Sequence, residues 1–171
     1  REIRERVGLA AEKSGRLEKD IAIMAVTKTV PAQRVNQAIG CGLTLLGENR
    51  VQEYLEKYPF YRRKDCSIHF IGRLQTNKVK YIVDKVDMIE SVDRVSLAKE
   101  IEKRCGIANK KMDILLEVNI GAEEGKSGVL LENLPELVKE ITALPHLCLS
   151  GLMAIPPRAP HISMMLSKLL R

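Results

Sequence analysis

The stretch IAIMAVTKTVPAQRV, residues 21–35, sets a pattern that the rest of the chain repeats. Its first six residues form a continuous, partly β-branched apolar run, which is typical of a strand covered on both faces. Pro31 ends this run, and a helical pattern follows it. Lys28 therefore lies where a strand passes into a loop, the end of the sheet at which α/β folds bind ligands. By position alone, an ordinary surface lysine is the commoner alternative.

Strand and helix patterns alternate six times along the chain. The predicted strands are residues 21–26, 43–49, 67–72, 87–93, 112–120 and 147–155. The predicted helices are residues 3–19, 31–39, a segment from 51, 74–86, 94–105, 130–144 and a closing candidate at 161–171. This alternation predicts an α/β fold with a parallel sheet and crossover helices. A doubly wound open sheet and a (β/α)8 barrel both fit it.

Several motifs that mark common functional classes are absent from the sequence. No GxGxxG follows a strand, which gives a dinucleotide-binding fold little support, and neither GxxxxGK[ST] nor GxSxG is present. The four cysteines and three histidines are scattered, so no zinc-ligand spacing appears. No signal-peptide pattern opens the chain and no apolar run approaches the ~18 residues of a membrane span. We expect a cytoplasmic protein with reduced thiols, no membrane partner and one domain over residues 1–171.

The net charge of +6 is concentrated in one segment. Residues 57–80 hold seven basic residues and a single acid, so this segment alone carries the excess. One interpretation is a patch for an anion or a nucleic acid. The other is a solvated loop whose basic side chains cover apolar surface. No nucleic-acid-binding motif accompanies the segment, so a nucleic-acid partner is the least favoured interpretation.

Polar or sulfur-bearing residues follow or end the predicted strands. They are Lys28, Asn49, His69, Glu117, Asn119 and Met153. In a barrel these strand ends meet at one mouth. Three of them have ordinary alternatives: Asn49 could cap the next helix, His69 could be a satisfied core histidine, and Met153 could fill the core.

Lys28 is the residue with reactive potential. A lysine that faces a partly dry barrel has a lowered pKa, and its neutral amine can form an imine with an aldehyde. A basic, glycine-containing region elsewhere would hold a phosphate. The sequence therefore predicts an amine at the barrel mouth that can capture an aldehyde.

Five motifs in order carry a family resemblance. They are MAVTKTVP with Lys28, GENRVQE (47–53), HFIGRLQTNK (69–78), VNIGAEEGKSG (118–128) and GLMAIPP (151–157). Together they closely resemble the pyridoxal phosphate homeostasis protein family, whose members resemble the barrel domain of alanine racemase without its second domain. The resemblance implies a (β/α)8 barrel of the alanine racemase N-terminal type.

The resemblance also implies a site. Lys28 matches the lysine that carries pyridoxal 5′-phosphate as a Schiff base, Asn49 and His69 match positions beside the cofactor, and Met153 matches a strand end that lines the pocket. Members are regarded as carriers of this cofactor and regulators of vitamin B6 and amino-acid metabolism, without an established catalytic activity. We therefore expect a monomeric, non-enzymatic carrier that passes the cofactor to amines or to apo-enzymes.

Two alternative functions remain beside the carrier. A racemase or lyase on the same barrel would need an acid/base partner on the opposite face of the cofactor, and no tyrosine lies in a motif suited to that role. Anion or nucleic-acid binding through residues 57–80 is the more distant alternative.

Family members continue beyond GLMAIPP with two βα units whose backbone amides bind the phosphate. With six predicted strands, we expect a barrel that lacks its last βα units in this chain, and a sharply lower cofactor affinity without them.

Overall fold

The computed structural model describes residues 2–156, in which helices and strands alternate as predicted. The strands are β1 (Ala25–Val26), β2 (Leu45–Glu48), β3 (Ser67–Phe70), β4 (Met88–Val92), β5 (Met112–Glu117) and β6 (Leu147–Met153). The helices are α1 (Glu2–Lys13), α2 (Ala32–Gly40), α3 (Val51–Lys57), α4 (Val79–Ile82), α5 (Val95–Ile107) and α6 (Leu134–Thr142). The predicted closing helix at 161–171 lies outside the described residues.

The six strands form one parallel sheet in the order β1-β2-β3-β4-β5-β6. Every strand pairs with its neighbour in the chain, which is the order of a barrel wall, whereas a doubly wound sheet reverses its order at a switch point. This order decides between the two predicted architectures in favour of the barrel. Within the described residues, β1 and β6 are the two edges of the sheet, so the wall is a partial barrel.

The hydrophobic core lies between the outer face of the sheet and the helices. Alternate strand residues such as Ile68, Phe70, Ile114 and Leu116 are fully buried there, and α5 packs against them with Leu97 among others. Because strand side chains alternate between faces, the residues between these positions point to the inside of the barrel. The core thus fixes which residues line the interior.

Three sequence predictions need correction. The first strand is shorter than predicted and is not covered on both faces, because β1 lies at a sheet edge where Val26 is 47% exposed. The first helix ends at Lys13 rather than near residue 19, and Gly15 follows it with a left-handed φ of +69°. The predicted helix at 74–86 begins with the 3₁₀ turn Thr76–Lys78, so α4 starts only at Val79.

Within residues 2–156, no helix has both the length and the apolar character needed to cross a bilayer. The same part of the chain brings no three His, Cys, Asp or Glu side chains together in a group that could hold a metal ion.

Candidate functional site

The strand register shows which residues line the interior. Val26 pairs with Gly47, and Gly47 pairs with His69. Partners in parallel strands point to the same face, and the alternate residues of β2 and β3 are buried under the helices, so these three positions face inward. Lys28 and Asn49 continue the same alternation just past the ends of β1 and β2. They therefore lie at the carboxyl edge of the sheet, one inward-facing position beyond the row of Val26, Gly47 and His69.

Met153 lies at the far edge of the same interior. It pairs with Glu117 at the end of β5, and Glu117 alternates with the core residue Leu116. The four site residues predicted from the sequence thus share the inner face at the carboxyl ends of their strands. Lys28, Asn49 and His69 follow one another on three adjacent strands, whereas Met153 belongs to β6 at the opposite edge.

Lys28 itself is exposed, and the residues on either side of it are held in place. Thr27 Oγ1 donates a hydrogen bond to Glu48 Oε1 at 2.7 Å, and the Thr27 carbonyl accepts one from Lys57 Nζ at 3.0 Å. The Thr29 N–H donates to Glu53 Oε1. Thr29 has a φ of +62°, a left-handed conformation that a β-branched residue rarely adopts and that costs about 1–3 kcal/mol. The turn that carries Lys28 is therefore fixed from behind by β2 and α3.

A buried ion cluster lies behind this turn, on the outer face of the sheet. Glu48 is fully buried, and its Oε1 lies 2.8 Å from Lys57 Nζ and 2.6 Å from the Tyr61 hydroxyl. Glu53, one helical turn before Lys57, accepts from the same ammonium at 2.9 Å. Paired buried charges of this kind hold a backbone in one arrangement, because separating them leaves an ion without a partner.

The pKa directions agree with this arrangement. Burial alone would lower the pKa of Lys57, but hydrogen bonds to Glu48 and Glu53 outweigh it and raise the pKa. Burial likewise opposes the charge on Glu53, whose pKa is nevertheless lowered by the hydrogen bonds from Lys57 and Thr29. Burial and the hydrogen bond to Glu48 raise the pKa of Tyr61 to about 12. Lys57 is therefore a fixed cation, and Tyr61 a neutral donor, near neutral pH.

Sequence reasoning missed this cluster. It counted Lys57 within the basic segment 57–80, but the structure buries it to 8% exposure. The signals were a lone acid, Glu48, in an otherwise apolar strand and the i,i+4 spacing of Glu53 and Lys57 on one helix. Neither signal could show that β1, β2 and α3 would bring these side chains together.

His69 has a single strong partner on the inner face. Its Nδ1 lies 2.6 Å from Glu90 Oε1, and both side chains are mostly buried. A carboxylate at this distance fixes the orientation of the imidazole ring. His69 therefore has the hydrogen-bond partner expected of a satisfied core histidine. It faces the barrel interior, however, and not the hydrophobic core.

Asn49 does not cap the following helix. The N-cap position of α3 is Arg50, and no side-chain hydrogen bond caps that end. Asn49 instead packs its backbone against Gly72, where a Cβ would lie 2.1 Å from the Asn49 carbonyl oxygen. Among residues 2–156, its buried side-chain Oδ1 has no hydrogen-bond partner. Buried polar atoms are almost always satisfied, so this oxygen is available to accept a hydrogen bond from a ligand or a water.

The two remaining strand-end residues differ from each other. Glu117 is buried to 8% exposure on the inner face, and its pKa is raised by burial and by Asp93, with Arg73 opposing. Asn119 is structural: its Nδ2 donates to the Glu123 carbonyl at 2.9 Å and its Oδ1 accepts from the Glu123 N–H at 3.1 Å. Glu117 therefore stays a candidate site residue, whereas the side chain of Asn119 is used within its own loop.

The basic segment does not form one continuous patch. Lys57 is buried in the ion cluster, Arg62 pairs with Asp65 at 2.8 Å, and the Arg63 guanidinium lies 4.7 Å from the ring centre of Tyr58. Other members line a cleft of about 940 Å³ at the carboxyl ends of β2 and β3. Its cationic residues are Arg50, Arg73, Lys78 and Arg94, and Asn49 is part of its wall. Its wall also includes the acids Glu53 and Glu56 but, within residues 2–156, neither Lys28 nor His69.

The partial barrel with a lysine at the end of its first strand defines a class of α/β-barrel domain. Similarity to known proteins shows which family of that class the chain belongs to. Residues 3–167 match the family described as the alanine racemase N-terminal domain. The pyridoxal phosphate homeostasis protein of Aquifex aeolicus (strain VF5) is 49% identical over 153 residues, which cover 90% of this chain and 67% of that protein. The chain therefore belongs to the pyridoxal phosphate homeostasis protein family, within the alanine racemase N-terminal domain class.

Two solved structures share the fold. The crystal structure of an unknown protein from Bifidobacterium adolescentis superposes with a TM-score of 0.92 at 31% identity, covering 99% of this chain and 74% of that one. PipY of Synechococcus elongatus PCC7942, in a structure with pyridoxal phosphate bound, has a TM-score of 0.79 at 29% identity, covering 97% and 76%. Both support the barrel type predicted from the sequence.

Proposed function

We propose that this chain binds pyridoxal phosphate as a Schiff base on Lys28. The observation that carries the proposal is the placement of Lys28, an exposed amine on the inner face at the carboxyl end of β1, beside Asn49 and His69. Barrels of this type bind ligands at that edge. The names of the relatives and the cofactor-bound PipY structure support the same cofactor.

The residues at this edge suit such a cofactor. Asn49 offers an amide oxygen that lacks a partner, and Glu90 orients the His69 imidazole. Gly47 lets Met24 and Ile71 pack against β2, since a Cβ at this position would lie 2.6 Å from Met24 Sδ and 3.0 Å from Ile71 Cδ1. When bound, the cofactor supplies an electrophilic aldehyde. The chain would supply the Lys28 amine, Asn49 and His69 would help to hold the cofactor, and Met153 would line the far wall.

The position of the tyrosines favours a carrier over a racemase. Racemisation needs an acid/base group on the face of the cofactor opposite the lysine. All four tyrosines of the chain belong to the helical layer: Tyr54, Tyr58 and Tyr61 pack in or against the core, and Tyr81 lies on α4. We therefore infer a carrier, acting as a monomer, that releases its cofactor to amines or apo-enzymes by exchange of the amine.

Absorbance titration with pyridoxal phosphate tests the proposal. The wild type should give the spectral change of a Schiff base, and Lys28→Arg should abolish it, because a guanidinium keeps the positive charge but cannot form the bond. An equal spectral change in Lys28→Arg would contradict the assignment. Racemisation of an amino acid by the loaded protein would overturn the choice of a carrier over an enzyme.

A further inference from the structure

We propose that Glu53 and Lys57 of α3 form a clamp that positions the Lys28 amine, an inference that rests on the proposed function. Neither residue faces the barrel interior. Both act from the outer face of the sheet, on the backbone immediately before and after Lys28.

The clamp holds both neighbours of Lys28. Lys57 Nζ donates to the Thr27 carbonyl at 3.0 Å, and Glu53 Oε1 accepts the Thr29 N–H. The two clamp residues are joined to each other at 2.9 Å. A single i,i+4 pair on α3 therefore ties down the residue before Lys28 and the residue after it.

Lys28 depends on its backbone for its position. Within residues 2–156, its side chain makes no hydrogen bond or ion pair of its own. A free lysine side chain samples many rotamers, so where its amine can reach is decided by where its Cα is held. Any movement of the Thr27–Thr29 turn therefore moves the reacting nitrogen.

The turn has a conformation that needs support. Thr29 adopts a φ of +62°, and its Oγ1 donates to the Lys28 carbonyl at 2.6 Å. Glu48, fully buried, anchors Thr27 from β2 and is itself 2.8 Å from Lys57 Nζ. The clamp is thus anchored by the Glu48 carboxylate, which is fully buried. Its geometry assigns α3 to hold the reactive lysine from behind the sheet.

The test compares three variants of α3. Glu53→Ala removes the acceptor of the Thr29 N–H, Glu53→Gln retains an acceptor oxygen, and Glu56→Ala is the matched control, since Glu56 is exposed on the same helix. Amide hydrogen exchange of residues 27–30 is measured in the protein without cofactor. Trapping with pyridoxal phosphate and borohydride, followed by a peptide map, then gives the rate of labelling at Lys28.

Loss of one charge-assisted hydrogen bond should change the rates of amide exchange and of labelling by a measurable factor. In Glu53→Ala, exchange at 27–30 should be roughly tenfold faster and labelling at Lys28 roughly tenfold slower than in Glu56→Ala. Glu53→Gln should retain most of both, and Glu56→Ala should match the wild type. Melting temperatures verify that each variant is folded.

The outcomes separate the clamp from the cofactor proposal. Wild-type exchange in Glu53→Ala, or faster exchange with unchanged labelling, would overturn the clamp, and so would a Glu53→Gln variant as impaired as Glu53→Ala. If the wild type takes no label at Lys28, the proposed function fails. The clamp is then judged by exchange alone: faster exchange in Glu53→Ala supports it, and unchanged exchange overturns it.

Discussion

Two lysines at the same end of the sheet have opposite environments. Lys28 is exposed on the inner face, and within the described part of the chain its amine has no carboxylate partner. Lys57, behind the same turn, is buried and contacts Glu48, Glu53 and the Thr27 carbonyl. An amine that reacts as a nucleophile must lose its proton, whereas a structural cation must keep it. The lysine with the most partners therefore supports the turn, and the lysine with the fewest is the one that we propose to react.

Replacing the buried lysine should give the largest effect. Lys57→Met is one atom shorter and leaves the Glu48 carboxylate buried without its cation, which should lower the free energy of unfolding by about 3–5 kcal/mol. Urea denaturation measures the loss. Lys64→Met, at an exposed lysine, should stay within about 0.5 kcal/mol of the wild type. Equal losses in the two variants would show that Lys57 is not the structural cation of the comparison.

Gly72→Ala tests the packing of the inner edge next to Lys28. Its Cβ would lie 2.1 Å from the Asn49 carbonyl oxygen, so the backbone must shift, at a cost of about 1–3 kcal/mol. Cofactor affinity should fall with it, because Asn49 moves. Gly40→Ala serves as the control, since its Cβ would meet only Arg62 Nη1, at 3.6 Å. Thermal unfolding and absorbance titration measure both effects, and an unchanged affinity would remove Asn49 from the site.

The clamp predicts a pH dependence on the acid side. The pKa of Glu53 in the folded chain lies below its ordinary value of 4.5, so the unfolded chain takes up the proton first as the pH falls. The stabilisation from Glu53 is therefore complete above about pH 5 and is lost as the pH drops through the folded-state pKa. The difference in melting temperature between wild type and Glu53→Gln should be constant above that pH and shrink below it. A difference independent of pH would contradict the charged role of Glu53.

Replacing the exposed lysine should have the smallest effect on stability. Lys28→Met removes no hydrogen bond or ion pair of the described residues, so the free energy of unfolding should change by no more than about 0.5 kcal/mol. A large loss in chemical denaturation would mean that Lys28 also supports the fold. The contrast with Lys57→Met would then disappear.

The sequence was sufficient to predict the alternation, the barrel and the inward placement of Lys28, Asn49 and His69. The alternation and the strand-end positions follow from periodicities of two and 3.6 residues and from the common direction of parallel strands. The choice of a barrel over a doubly wound sheet came from the family resemblance. It could not predict the short β1 with its exposed Val26, because burial of an edge strand depends on what lies beside it. The burial of Lys57 was also out of reach, since it requires three separate segments to meet.

A site-resolved map of borohydride-trapped pyridoxal phosphate tests directly whether Lys28 is the reactive lysine. The protein is incubated with limiting pyridoxal phosphate, reduced with borohydride, and every lysine is quantified by peptide mass. We expect a phosphopyridoxyl group on Lys28, none on Lys57, and far less on exposed lysines such as Lys64. Labelling spread evenly over the exposed lysines, with no preference for Lys28, would contradict it.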